Sequence, residues 1–255
     1  MPATVTSNLL YKSSIYLGQS GQELSLILDT SSDRIVVEGS SCATCEGNTY
    51  DTTSSDYFEI VNQQFREMSY GSLVHLLGRE VSDMVCLKKN WICVDPFKFF
   101  LVSEQVGLPV DADGILGLAM GYSPRSSQQL PSDFNVGTLL VDSLRMNGHI
   151  TTRSFSTLFS NQDSYIEFGP INLENTSGEL IELQLSEGYF WTVVPEAIKF
   201  GSDEYGLDGS IEAIITTGVS LSFVPSSISL EFFSYMLKDT QAYELNGVYY
   251  TDCET

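Results

Sequence analysis

Two hydroxyl-rich turns contain the residues whose types are best suited to chemistry. The first, residues 29–32, has an aspartate followed by three hydroxyl residues, and the second, residues 216–220, has two threonines, a glycine and a serine but no acid. A carboxylate can act as a general acid or base, whereas a threonine hydroxyl donates hydrogen bonds but does not exchange its proton at a working pH. The two turns therefore offer one ionisable group and one hydroxyl in matching places.

Each turn lies between two apolar segments, which are the elements that would position it. Residues 26–28 precede the first turn and residues 35–37 follow it, while residues 213–215 and 222–224 flank the second turn. The two arrangements are 187 positions apart. Their similarity predicts two related lobes, each with one such turn. The alternative is chance, since an apolar strand followed by a tight turn is common in β proteins.

The rest of the chain is typical of a mainly β protein. Only residues 136–146 and 227–238 show helical signals, and the remaining apolar runs are short and punctuated by Gly, Ser, Asn or Asp. Many short strands with so few helices indicate a sandwich or a barrel. The further predicted strands are residues 57–60, 73–77, 84–87, 97–102, 165–168, 180–185 and 190–194.

The charge balance excludes several classes of partner. The 255 residues include 33 Asp and Glu against 12 Lys and Arg, which gives a net charge of −21. Such a field repels phosphates and anionic lipids, so we expect no nucleic-acid partner and no polybasic membrane docking. No apolar run approaches the roughly 18 residues of a transmembrane helix. The acidic surplus fits an acidic compartment, or simply a charged surface that keeps the chain in solution.

Four of the five cysteines occur in two closely spaced pairs. Cys42 and Cys45 lie in a loop, and Cys86 and Cys93 flank a segment typical of a hairpin turn. Both spacings can close small disulfide loops in an oxidising compartment. Alternatively, the C-x-x-C pair is half of a zinc site. The two histidines do not form a ligand-spaced pair, so we expect no bound metal.

Two further features bear on the compartment. Cys253 has no partner in the sequence, and Asn175 begins an N-glycosylation sequon, which is meaningful only in a secreted protein. Together with the paired cysteines, the sequon favours a secretory, vacuolar or extracellular location. The first ten residues have neither the basic start nor the apolar stretch of a signal peptide. We therefore expect an intracellular chain or one from which a targeting segment has been removed.

Motifs along nearly the whole chain resemble those of the pepsin-like aspartic peptidases. The first turn is similar to the family's D-T-G-S signature, with Ser31 in place of glycine, and residues 113–118 match its D-G-I-L-G-L segment closely. Residues 213–225 resemble the second signature, A-I-V-D-T-G-T-S-L-x-x-x-P. The other matches, in the family's order, are residues 16–22 (I-G-T-P-P-Q), 42–45 (a small disulfide loop), 69–72 (the start of the flap), 168–172 (F-G-G-I-D) and 190–193 (Y-W-x-I).

The resemblance implies a mainly β, bilobal pepsin-like fold with few short helices. We expect an N-terminal lobe with the inter-lobe segment at residues 1–160 and a C-terminal lobe at residues 161–255. Family members continue beyond the cysteine that Cys253 resembles, so the second lobe is expected to be incomplete at its C-terminus. Its unpaired strand edges and apolar side chains would invite a partner chain.

The resemblance also implies a chemistry. Members of the family hydrolyse peptides with two aspartates, one from each lobe, which share a proton; the ionised one activates water and the protonated one donates to the substrate carbonyl. No cofactor and no metal takes part. In this chain Asp29 occupies the first position, and Thr216 stands where the second aspartate belongs. The supporting positions are Thr30, Ser32, Thr217, Gly218 and Ser220.

The missing aspartate leaves half of the acid–base pair. Each general acid or base typically contributes about 10²–10⁴-fold to the rate, and losing half of a cooperating unit loses most of the effect. We therefore predict an impaired peptidase homologue that binds a peptide or protein ligand in the inter-lobe cleft, under a flap with Tyr70, Gly71 and Ser72, or that has a scaffolding role. The alternatives are an active aspartic endopeptidase working at acidic pH and a purely structural subunit.

Overall fold

A computed structural model describes the chain except for residues 72, 122–138, 161–162, 174–177, 187, 201, 208, 237–241, 246–247 and 252–255. Ser72, Asn175 and Cys253 fall among these, so the predictions made for them lie outside the described residues. The prediction of a mainly β protein with few short helices is confirmed. Within the described ranges, no helix is both long and apolar enough to cross a membrane.

The described residues form seventeen strands, two α-helices and one 3₁₀ turn. In chain order they are β1 (Ala3–Val5), β2 (Tyr11–Leu17), β3 (Gln22–Asp29), β4 (Ile35–Glu38), the 3₁₀ turn (Thr52–Ser54), β5 (Glu59–Ile60), β6 (Arg66–Tyr70), β7 (Val74–Lys88), β8 (Trp91–Val106), β9 (Gly114–Gly117), α1 (Leu140–Met146), β10 (Phe155–Leu158), β11 (Tyr165–Phe168), β12 (Thr192–Val193), β13 (Ala197–Phe200), β14 (Asp203–Gly206), β15 (Ala213–Ile214), α2 (Ser226–Met236), β16 (Ala242–Leu245) and β17 (Val248–Thr251).

Nine of the strands form one sheet. Eight follow the order β1-β2-β3-β9-β4-β8-β7-β5, and β6 pairs with β7. Strand β9 is parallel to β3 and antiparallel to β4, and β4 is parallel to β8. Every residue of β4 and β9 is buried, which explains why residues 35–37 and 115–116 are apolar at consecutive positions rather than at alternate ones. The three neighbours β3, β9 and β4 therefore make a rigid centre for the turn that follows β3.

Strand β3 shows how the sequence builds this centre. Leu24, Leu26 and Leu28 alternate along the strand and are fully buried in the main core, because side chains two residues apart point to the same face. Burying each such side chain is worth about 1.5–3 kcal/mol. The strand that ends at Asp29 is therefore held firmly in register.

Two long strands replace several short ones expected from the sequence. The predicted runs at 73–77 and 84–87 belong to the single strand β7, and the run at 97–102 lies within β8. Register shifts occur between Leu77 and Gly78 and between Asp83 and Val85, so the polar breaks that appeared to separate strands are bulges. A Cβ at Gly78 would overlap the facing backbone, which explains the glycine.

The chain divides into two compact units. One comprises Met1–Thr192 with Ile214–Ser220, and the other comprises Val193–Ala213 with Leu221–Thr255. In the second unit β13 pairs with β14, α2 packs against β14, and β16 forms a hairpin with β17. The lobe boundary expected at residue 160 stays a prediction.

Two segments expected to be strands, residues 180–185 and residues 222–224, form no strand among the described residues. Residues 180–185 alternate as a strand would, but no described neighbour pairs with them and they have no regular secondary structure. Leu180, Ile181 and Leu183 are 62%, 80% and 62% exposed. The prediction of a strand here is wrong because a strand needs a hydrogen-bonded partner, and a period-two pattern alone does not supply one.

Candidate active site

Asp29 is the last residue of β3, which places its side chain at the end of the central strands. Its backbone carbonyl accepts a hydrogen bond from Leu118 N–H at 2.8 Å, and its partner in the parallel register is Gly117. A Cβ at Gly117 would overlap the backbone of Arg34, so only glycine allows this close approach. The carboxylate therefore stands on a backbone fixed from two sides, and Asp29 is 4% exposed.

The second hydroxyl-rich turn lies directly against the first. The amide of Thr30 donates to Thr217 Oγ1 at 3.2 Å, and the amide of Thr217 donates to Thr30 Oγ1 at 3.1 Å. Thr30 Oγ1 in turn donates to the Ile215 carbonyl at 2.8 Å, and Thr217 Oγ1 donates to the Leu28 carbonyl at 2.6 Å. A shift of 187 positions exchanges the two threonines. The internal repeat seen in the sequence is therefore a pair of interlocked turns with approximate two-fold symmetry.

Asp29 and Thr216 occupy equivalent places in these turns and lie close together. Thr216 Oγ1 is 3.5 Å from Asp29 Oδ1 and 3.0 Å from Ser31 Oγ. Asp29 Oδ1 also accepts hydrogen bonds from the Ser31 amide at 2.8 Å and from Ser31 Oγ at 2.6 Å. Thr216 Oγ1 accepts from the Gly218 amide at 3.2 Å. The structure brings the two sequence-selected residues together as one carboxylate and one hydroxyl.

Gly218 of the second turn lies close to the Asp29 carboxylate. A Cβ at this position would overlap the side chain of Asp29. The turn can approach the carboxylate only because residue 218 has no side chain. Gly218 thus has a steric role in addition to the amide that it donates to Thr216.

The other two supporting positions are arranged differently from the expectation. The sequence predicts that Ser32 hydrogen-bonds the carboxylate, but it is Ser31 that does so. Ser32 Oγ is buried and meets strict hydrogen-bond geometry with no described residue, although its interaction with the Tyr70 hydroxyl lowers the pKa of that group. Ser220 is exposed at the end of the second turn.

Strands β6 and β7 form the hairpin predicted as the flap. Gly71 lies at its tip with φ of +57°, a left-handed conformation that favours glycine. The Tyr70 hydroxyl donates to Met68 Sδ at 3.3 Å. Burial, together with the negative charges of Asp29 and Asp33, raises the pKa of Tyr70. The phenol therefore stays protonated and remains a hydrogen-bond donor at acidic and neutral pH.

Both cysteine pairs are disulfides. Cys42 bonds Cys45 with an S–S distance of 2.00 Å, and Cys86 bonds Cys93 at 2.07 Å. Both sulfur atoms of the C-x-x-C pair are therefore in a disulfide bond and are not available as zinc ligands. In the part of the chain that the structure describes, no three His, Cys, Asp or Glu side chains cluster as metal ligands would. Two disulfides fit an oxidising compartment such as a vacuole or the extracellular space.

Comparison with known sequences decides the family. The sequence model of the Eukaryotic aspartyl protease family matches residues 10–255. The chain belongs to this family. Vacuolar protease A of Neurospora crassa is 27% identical over 99% of the chain and 62% of its own length. Candidapepsin-2 of Candida parapsilosis is 25% identical over 94% of the chain and 57% of its own length. Pepsin A of Rhinolophus ferrumequinum is 26% identical, with 89% and 58% covered. The chain thus spans about 60% of the length of these relatives.

This aspartyl protease homologue also contains a buried glutamate that the sequence analysis does not select. Glu38 ends β4, is 1% exposed, and has a carboxyl oxygen without a hydrogen-bond partner among the described residues. Burial raises the pKa of Glu38 to about 7; the charges of Asp113 and Glu46 also raise it, while a hydrogen bond from the Gly47 amide lowers it. A charged residue that directly continues an apolar strand is the sequence signal that could have drawn attention to it.

Ser31 is another residue of the candidate site whose contacts the sequence analysis does not foresee. Its side chain contacts both Asp29 and Thr216. The available signal is the departure from the family's D-T-G-S signature, because a serine in place of glycine adds a donor within reach of the aspartate. The departure is visible in the sequence, but the two contacts depend on how the second turn packs against the first.

Proposed function

We propose that the chain is an aspartyl protease homologue that binds peptides or protein segments and has little or no peptide-hydrolysing activity. The observation that carries this proposal is the pairing of Asp29 with Thr216 at equivalent positions of the two turns. Peptide hydrolysis by this family's chemistry needs one group to activate water and another to protonate the substrate. The described pair offers a single carboxylate.

The missing second carboxylate should lower the rate of peptide hydrolysis strongly. A general acid or base contributes about 10²–10⁴-fold to the rate, and groups that act as a unit lose most of their joint effect when one is removed. Thr216 Oγ1 donates hydrogen bonds but keeps its proton, so it cannot alternate between acid and base. Turnover should therefore fall by orders of magnitude even where substrate binding is retained.

Binding does not require the second carboxylate. The interlocked turns, the Tyr70 hydroxyl and the flap hairpin remain in place, and such groups recognise a peptide by position and hydrogen bonding rather than by proton transfer. The proposed ligand is an extended peptide or protein segment that lies against the interlocked turns and is covered by the flap. If the ligand is another folded protein, the chain has a scaffolding role.

The test measures binding and cleavage side by side. A labelled statine-type peptide is titrated into the non-reduced chain and followed by fluorescence anisotropy. An unfolded protein substrate is incubated with the same preparation at about pH 3 to 6 and examined for new chain termini by mass spectrometry. Saturable binding without new termini supports the proposal. Cleavage that the statine-type peptide inhibits would instead establish the alternative, an active acidic endopeptidase.

A partner for the second half of the chain is a separate part of the proposal. Large apolar side chains are exposed there, including Ile181 at 80% and Phe223 at 72%, and exposed apolar groups of this size are typical of interaction sites. We expect a partner polypeptide or a further part of a longer product to cover them. Light scattering of the purified chain tests this: self-association or capture of a partner is expected, and a stable monomer with protected amides would contradict it.

The proposed location is an oxidising, acidic compartment. Two disulfides support it, and vacuolar protease A of Neurospora crassa is among the relatives. Fractionation of the producing cells, with detection of the disulfide-bonded chain by its mobility without reductant, tests this. Recovery of a fully reduced chain from the cytosol would contradict it.

A further inference from the structure

The side chain of Ser31 lies where the two interlocked turns meet. Its amide and its hydroxyl both donate to Asp29 Oδ1, at 2.8 Å and 2.6 Å. The corresponding residue of the second turn is Gly218, whose amide donates to Thr216 Oγ1 at 3.2 Å. The amide contact is therefore common to both turns, and the hydroxyl contact is an addition found only in the first.

The number of hydroxyl hydrogens decides which group donates in each of these hydrogen bonds. Ser31 Oγ has one hydrogen, and the 2.6 Å bond to Asp29 Oδ1 uses it. Ser31 Oγ is then an acceptor toward Thr216 Oγ1, which is 3.0 Å away. Thr216 is 3.5 Å from Asp29 Oδ1, so its one hydrogen goes to the serine. The result is a linear series of hydrogen bonds, from the Thr216 hydroxyl to the Ser31 hydroxyl and from the Ser31 hydroxyl to the Asp29 carboxylate.

The network occupies the carboxylate oxygen that Thr216 approaches. A carboxylate oxygen has about two acceptor sites, and the Ser31 amide and hydroxyl fill both on Asp29 Oδ1. Asp29 Oδ1 then has no acceptor site left for a water molecule that lies between it and Thr216. The serine hydroxyl competes with that water at the short distance typical of a charge-assisted hydrogen bond.

We infer that Ser31 is a positioning residue that ties Asp29 to Thr216 and forms a second block on hydrolysis, in addition to the missing aspartate. The inference rests on the proposed loss of activity and extends it. Replacing Thr216 by aspartate restores a pair of carboxylates but leaves Oδ1 of Asp29 occupied. Full release needs the loss of the serine hydroxyl as well.

The test compares Thr216→Asp with the double variant Ser31→Ala/Thr216→Asp. Alanine keeps the amide donor and removes only the hydroxyl, and Ser31→Thr/Thr216→Asp is the control that keeps a hydroxyl. Cleavage of a fluorogenic peptide is measured at about pH 3 to 6, with kcat and KM determined separately. The double variant should have a kcat about tenfold or more above that of Thr216→Asp, the value of a charge-assisted hydrogen bond, with a similar KM. The threonine control should behave as Thr216→Asp does.

A second measurement does not depend on turnover or on a new buried aspartate. Ser31→Ala should bind a statine-type peptide about tenfold more tightly than the unmodified chain, because its Asp29 oxygen can accept the ligand hydroxyl, and Ser31→Thr should not. Equal kcat for the two aspartate variants, no cleavage by any variant, or equal affinities for the peptide would overturn the inference. Cleavage by the unmodified chain would overturn the proposed function, while the comparison of the two aspartate variants would still decide the role of Ser31.

Discussion

The buried carboxyl group of Glu38 makes the stability of the chain depend on pH, and Glu38→Gln should remove that dependence. Glu38 lies at the end of β4 with 1% of its surface exposed. The negative groups that face it are Asp113, which precedes β9, and Glu46, while the Gly47 amide is the donor that partly compensates. Among the described residues, no basic group acts on its ionisation, so the folded chain favours the neutral acid.

The sign and size of the effect follow from the pKa. Burial raises the pKa of Glu38 from 4.5 to about 7, so between these pH values the folded state binds a proton that the unfolded state has lost. The stabilisation is fully present below about pH 4.5 and is lost as the pH rises through about 7. One pH unit corresponds to about 1.4 kcal/mol, so the whole difference is about 3 kcal/mol.

The assay is urea unfolding of the disulfide-bonded chain at several pH values across that window, followed by tryptophan fluorescence. Glutamine stays neutral, so the stability of Glu38→Gln relative to the unmodified chain should increase by about 3 kcal/mol from the acidic to the neutral end. Glu46→Gln is the matched control, because it removes the same charge from an exposed neighbour and should leave most of the pH dependence. Parallel stability curves for Glu38→Gln and the unmodified chain would refute the reasoning.

Two further substitutions test the scaffold around the site. Thr217→Val removes the hydroxyl that accepts from the Thr30 amide and donates to the Leu28 carbonyl, both at the end of β3, and should lower the free energy of unfolding by about 2 kcal/mol, two hydrogen bonds at about 1 kcal/mol each. Exposed Ser220→Ala is its control, and an equal urea midpoint for both variants would contradict the interlocked turns. Replacing Cys86 and Cys93 together by alanine should cost about 2 kcal/mol, because a loop of this size is freed in the unfolded chain; an unchanged thermal midpoint without reductant would argue against that disulfide.

The central strands could be predicted because their consecutive apolar residues match their buried position in the middle of the sheet. Residues 26–28 and 35–37 are apolar on consecutive positions, and they lie in β3 and β4 between other strands. Residues 180–185 are also rich in apolar residues and yet form no strand among the described residues. The difference is the neighbour, since pairing is a tertiary property that a single segment does not encode.

Some features of the candidate site could likewise be predicted from the sequence, and others could not. The internal repeat predicts that Asp29 and Thr216 are equivalent, and the two turns that contain them lie in contact. The sequence analysis does not predict the hydrogen bonds of Ser31 or the burial of Glu38 beside other acidic residues. Both depend on the distance between segments far apart in sequence, such as residue 31 with residue 216 and residue 38 with residue 113. Residue types indicate that a donor or an acid is available, and packing decides what it meets.

Hydrolysis of a peptide by the purified chain at acidic pH tests the central claim most directly, namely that one carboxylate beside Thr216 does not sustain turnover. The rate should equal that of Asp29→Asn and lie at least about 10²-fold below that of an active pepsin-like peptidase under the same conditions. Cleavage that a statine-type inhibitor stops and that Asp29→Asn abolishes would contradict the claim, because a second group would then supply the proton.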